Sequence, residues 1–182
     1  MAVRAVSRPL AQLPNALTVL RLAAIPVFVA LMLAAEGRSW PAVALFTAAG
    51  VTDQVDGWLA RRWRVESAFG RVADPLADRL LIDAAVVLLW FDGRLPWPAL
   101  AIILVRDLVL VAGYKLVMPR GYELSVSPLG KAATWVLYAA IFLVLVTPEA
   151  TEWPLLLFWG GLALAVAAGG GYLVRAWRYF RA

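Results

Sequence analysis

Long apolar blocks constrain this chain more than any other feature. Stretches of about twenty residues recur between residues 16 and 175, and about twenty helical residues cross the roughly 30 Å hydrocarbon core of a bilayer. Six spans are expected, at roughly 16–35, 41–61, 70–91, 97–117, 128–147 and 154–175. Pro41, Pro96, Pro98, Pro128 and Pro154 lie near their starts, where a missing N–H costs little. Trp40, Trp97 and Trp153 sit near one set of ends, as residues of an interfacial aromatic belt do. The expected fold is all-α. One polytopic membrane domain covers 1–182, with six transmembrane helices in 16–175 and a short N-terminal interfacial segment at 1–14. The basic start of that segment also fits a signal peptide, but no convincing small-residue cleavage site follows it. Composition agrees with a membrane protein: 63% of residues are hydrophobic, whereas a soluble domain sits nearer half.

The charges between the blocks give an orientation. Arg4, Arg8, Arg61, Arg62, Arg64, Lys115, Arg120, Arg175, Arg178 and Arg181 fall on one side, and only Arg38 and Arg94 on the other. This asymmetry places both termini in the cytoplasm. The net charge of +5 is therefore explained by topology and anionic lipid headgroups rather than by nucleic acid.

The chain has no cysteine and no histidine, which excludes thiolate and imidazole chemistry. A metal would bind through oxygen, which favours magnesium or manganese. The oxygens are at hand in Asp53-Gln-Val-Asp56-Gly57-Trp-Leu-Ala60-Arg61 and, after eight residues, Gly70-Arg-Val-Ala-Asp74-Pro-Leu-Ala-Asp78. Helical spacing points Asp53 and Asp56 together from the second span, and Asp74 and Asp78 together from the third. A short loop makes these spans antiparallel neighbours, so the two pairs converge. Four converging carboxylates repel in a low dielectric, and each charge at mid-membrane costs about 2.5–3.5 kcal/mol. Two divalent ions, Mg²⁺ or Mn²⁺, are the natural compensation. Gly57, Ala60 and Gly70 clear space beside them, and Arg61 suits a diphosphate.

These residues match D-x2-D-G-x2-A-R-x8-G-x3-D-x3-D, the signature of the CDP-alcohol phosphatidyltransferases, at every defined position. The chain resembles that family also in Pro14-Asn15-Ala-Leu-Thr18-Val-Leu-Arg21, in Ala73–Arg79 and in Leu129–Thr134. The resemblance implies a homodimer of six-helix subunits with a cytoplasm-facing cavity. It implies transfer of a phosphatidyl group from CDP-diacylglycerol to an alcohol, with release of CMP. By that resemblance Asp53 and Asp74 bridge both metals, Asp56 completes one site and Asp78 the other, and Asp78 takes the acceptor proton. Gly57, Arg61, Ser67 and the Asn15–Thr18 segment would contact the CDP moiety, with Ala60 and Gly70 beside them.

The acceptor is less constrained. Arg106, Asp107, Lys115 and Lys131 are candidates to bind it. Bacterial phosphatidylglycerophosphate synthases resemble this chain, but typically carry Arg-Glu where it has Arg106-Asp107, and a second arginine where it has Tyr114. Gly121-Tyr122 and Leu129–Thr134 look more like cardiolipin synthases, which favours phosphatidylglycerol over glycerol 3-phosphate. Arg106 and Asp107 could instead neutralise each other, Asp83 is expected to pair with Arg79, and the glycines of the last span suit close packing or a kink. Intramembrane carboxylates also occur in cation-coupled transporters, which is the alternative from another class.

Overall fold

The computed structural model describes the backbone of residues 8–35, 38–63, 68–117 and 127–181, and the side chains of 15–35, 38–52, 76–77, 79–113 and 127–175. Six helices follow one another: α1 (Arg8–Leu33), α2 (Trp40–Trp63), α3 (Ala68–Phe91), α4 (Trp97–Val117), α5 (Pro128–Val146) and α6 (Trp153–Arg181). No strand occurs among the described residues. Three helical stretches there are long and apolar enough to cross a membrane: Asn15–Leu33, Pro128–Val146 and Trp153–Arg175. A helix suits that environment because it satisfies its own backbone N–H and C=O groups. The chain is an all-α membrane protein.

Punctuation explains the boundaries. α2, α4 and α6 each begin with Trp-Pro, at Trp40-Pro41, Trp97-Pro98 and Trp153-Pro154. The proline fixes φ in the first turn, where its lost donor has no intrahelical acceptor. All three tryptophans are exposed. α3 stops at a Schellman turn: Gly93 has φ +70°, its N–H donates to Trp90 O, and Arg94 N–H donates to Leu89 O. α1 starts at Arg8, so the segment expected to be interfacial enters the same helix as the first span. Pro9 sits in the first turn, while Pro14 and Pro26 each leave one internal bond unmade without ending the helix.

The chain divides into two compact units, Met1–Ala85 and Val86–Ala182. In the first, α1 packs on α2, with the Phe28 and Phe46 rings 5.8 Å apart. Ala42, Val43, Phe46 and Ala49 line the buried side of α2. In the second, α6 packs on both α5 and α4. Ala133, Leu137, Ala140 and Val144 form the buried stripe of α5, and Phe158, Leu162 and Ala165 that of α6. Gly161 permits the close approach: a Cβ there would lie 3.0 Å from Val136 Cγ1 and 3.2 Å from Leu137 Cδ2. Of the paired glycines in α6, Gly160 faces open space, so close packing explains only Gly161.

Arg38 and Arg94 each have a defined contact within their own unit. Arg38 lies 5.4 Å over the Trp40 ring. Arg94 donates to Thr147 O at 2.8 Å, at the C-cap of α5.

Candidate active site

Within the first unit, a simple spacing leads to the carboxylates. Ala42, Phe46 and Ala49 are buried along α2 at steps of four and three residues. The same alternation continues to positions 53 and 56 near the helix end. On α3, Leu81 and Ala85 are buried, and counting backwards by three and four reaches positions 78 and 74. Each pair thus extends the buried stripe of its helix, with residues 64–67 connecting the two helices. The side chains of Asp53, Asp56, Asp74, Asp78, Arg61 and Ser67 lie outside the described residues, as do the surroundings of Gly57, Ala60 and Gly70.

On α1, Asn15 is half-buried and Thr18 fully buried. Sequence reasoning gave Arg21 no role beyond its place in the opening motif. It is only 2% exposed and heads the fully buried side chains by volume. A guanidinium removed from water requires compensating charge or hydrogen bonds. Its level is set by packing. α1 and α2, joined by residues 34–39 and packed on each other, form an antiparallel pair with Phe28 against Phe46. Seven residues back along α1 from Phe28 is Arg21, and seven residues forward along α2 from Phe46 is position 53. At 1.5 Å per residue, both lie about 10 Å from the ring contact in the same direction. Burial of a charged side chain on the Thr18 face was the signal, and spacing alone could not supply it.

The acceptor candidates belong to the second unit. Arg106 Nη1 and Asp107 Oδ1 are 2.7 Å apart, with side chains 14% and 6% exposed. Lys131 is exposed in the first turn of α5, and its backbone N–H donates to Ser127 O at 3.1 Å. Lys115 lies in the last turn of α4, but its side chain lies outside the described residues, and Arg120 is wholly outside them. Arg79 and Asp83 are both half-buried, one turn apart on α3.

Residues 11–167 match the family model of the CDP-alcohol phosphatidyltransferases. The chain belongs to that family. It is 32% identical to the CDP-diacylglycerol–glycerol-3-phosphate 3-phosphatidyltransferase of Bacillus subtilis, over 91% of this chain and 95% of that protein. It is 38% identical to the cardiolipin synthase (CMP-forming) of Streptomyces coelicolor, over 74% of this chain and 65% of that protein. A protein of Mycobacterium tuberculosis, provisionally named a cardiolipin synthase, is 38% identical over 67% of this chain. The chain spans 58% of the length of that mycobacterial relative.

Proposed function

We propose that this protein transfers the phosphatidyl group of CDP-diacylglycerol to an alcohol at the membrane, releasing CMP. The observation that carries this reading is the register of the two carboxylate pairs, each prolonging the buried stripe of α2 or α3 within a complete family signature. The donor set fits the implied metals: four aspartates with no histidine or cysteine in the chain are a hard, all-oxygen set, suited to Mg²⁺ or Mn²⁺. Asp53, Asp56, Asp74 and Asp78 would hold two ions, with Asp53 and Asp74 shared. When bound, the ions supply electrostatic stabilisation of charge on the diphosphate.

The remaining chemistry falls to the chain. Arg61 pairs with the diphosphate, while Asn15, Thr18, Gly57 and Ser67 hold the CDP portion, with Ala60 and Gly70 leaving room. With no imidazole present a carboxylate is the base, and by the family resemblance Asp78 accepts the proton of the acceptor hydroxyl. The alkoxide oxygen bonds to the phosphatidyl phosphorus as the bond to the CMP oxygen breaks, and CMP leaves as the monoester anion. The cytoplasmic face is the expected location of this site and of both termini, and a homodimer the expected assembly.

Phosphatidylglycerol is the favoured acceptor, with cardiolipin as product. What favours it is the likeness of Gly121-Tyr122 and Leu129–Thr134 to cardiolipin synthases. Glycerol 3-phosphate is the second reading, because a relative named for that reaction matches nearly end to end. Arg106, Asp107, Lys115 and Lys131 are the acceptor-binding candidates. The test is CMP release by the purified protein from CDP-diacylglycerol with Mg²⁺ or Mn²⁺ and each alcohol separately. Turnover with phosphatidylglycerol is expected. Turnover only with glycerol 3-phosphate reverses the acceptor, and cation flux without CMP release with any alcohol replaces the transferase by a transporter.

A further inference from the structure

The start of α5 is held by a residue 45 positions away. Ser127 N–H donates to the Tyr172 hydroxyl of α6 at 2.7 Å. Ser127 itself is the N-cap of α5: its φ and ψ are −75° and 148°, and its Oγ accepts from Gly130 N–H at 3.1 Å. Its carbonyl receives the Lys131 N–H at 3.1 Å. The cap therefore links Tyr172 on one side to Lys131 on the other through a single residue.

Two neighbours fit this arrangement. A Cβ at Gly130 would lie 3.2 Å from the Tyr172 hydroxyl and 3.3 Å from Ser127 Oγ, so the absence of a side chain there leaves room for the phenol. Arg175, one turn further along α6, lies 4.9 Å over the Tyr172 ring and donates from Nε to Gly171 O at 3.1 Å. The ring is thus held by its own helix while its hydroxyl reaches the next one. An ordinary N-cap needs only its own side chain, so a second contact from another helix fixes where the cap sits as well as whether it forms.

We propose that Tyr172 is a positioning residue for the acceptor: its hydroxyl sets the first turn of α5 and, through Ser127, the place from which Lys131 reaches the acceptor phosphate. This rests on the reading of Lys131 as an acceptor-binding residue. Tyr172 touches no reacting atom. It acts on acceptor binding and leaves the donor site and the proton transfer alone.

The test compares Tyr172→Phe, Lys131→Ala and the double variant in the full-length protein in detergent, varying CDP-diacylglycerol and the acceptor separately. Tyr172→Phe is expected to raise the acceptor KM about 3- to 10-fold, the scale of one lost hydrogen bond, with kcat and the CDP-diacylglycerol KM within about 2-fold. Lys131→Ala should raise the acceptor KM further, and the double variant should match Lys131→Ala alone. Hydrogen exchange supplies a second readout: amides at the start of α5 should exchange faster in Tyr172→Phe. An acceptor KM unchanged by Tyr172→Phe, while Lys131→Ala raises it, overturns the positioning role and leaves the acceptor-binding reading standing. An acceptor KM unchanged by Lys131→Ala removes that reading and the positioning role with it, even if exchange at the cap accelerates. Multiplicative effects in the double variant, or equal losses for both substrates, would mark Tyr172 as a general structural support and overturn the proposal.

Discussion

The α1–α2 pair and the α5–α6 pair use the same alternation of four and three residues to bury opposite chemistries. In α5 the stripe Ala133, Leu137, Ala140, Val144 meets Phe158, Gly161, Leu162 and Ala165 of α6, and every member is apolar or glycine. In α1 the buried side includes Thr18 and Arg21, and the buried stripe of α2 runs on to positions 53 and 56. One spacing thus serves two purposes. In lipid, small residues let helix backbones approach and dispersion does the holding. A seam that carries charge needs matching charge, and Arg21 is a buried cation on α1 whose backbone position lies at the level of position 53 on α2.

The largest effect is expected at Asp78, on α3 and outside both pairs. Asp78→Asn should lower CMP release by about 10²–10⁴-fold, the range expected for loss of a general base, in protein that still inserts and purifies as a folded species. Retained activity would remove Asp78 as the proposed proton acceptor. Next comes Arg21→Met, which strips the buried cation and should destabilise by about 3–5 kcal/mol, the cost of leaving the other half of a buried pair uncompensated. Thermal unfolding in detergent measures it. A change no larger than that of a surface substitution would mean Arg21 balances nothing.

The apolar seam should fail differently. Gly161→Leu forces side-chain atoms into the space filled by Val136 and Leu137, at a cost of about 1–3 kcal/mol. The neighbouring Gly160→Leu enters open space and should stay within about 0.5 kcal/mol. Equal losses at the two positions would deny Gly161 its packing role. Arg94→Ala removes the 2.8 Å bond to Thr147 O and should cost about 1 kcal/mol in the same unfolding assay, the smallest loss expected of any contact removed.

Most of the helical frame was readable from punctuation. Trp-Pro marks three starts and Pro128 a fourth, because these residues act through local backbone geometry, whereas the Gly93 turn that ends α3 was found in the structure. The start of α1 was not readable. Arg4 and Arg8 among apolar residues suggest an interfacial segment, and spacing gave no sign that one helix begins at Arg8 and accommodates Pro9 and Pro14. Of the site, spacing could place Asp53, Asp56, Asp74 and Asp78 on α2 and α3, since helical register is a local property. Contacts between distant segments could not be read in this way. Tyr172 meets Ser127 across 45 residues and Arg94 meets Thr147 across 53, and neither pair stands out by residue type. Arg21 was visible as a residue, but its burial depends on how α1 packs on α2.

The Arg106–Asp107 contact has a consequence for how the chain reaches its membrane. Each residue alone would oppose entry of α4 into lipid by about 2.5–3.5 kcal/mol. They are adjacent in sequence and bonded at 2.7 Å, so the pair is available as soon as one turn of helix has formed. Part of the neutralisation is therefore made within α4 itself. α4 thus presents less charge to lipid than two separate ions on the same helix would.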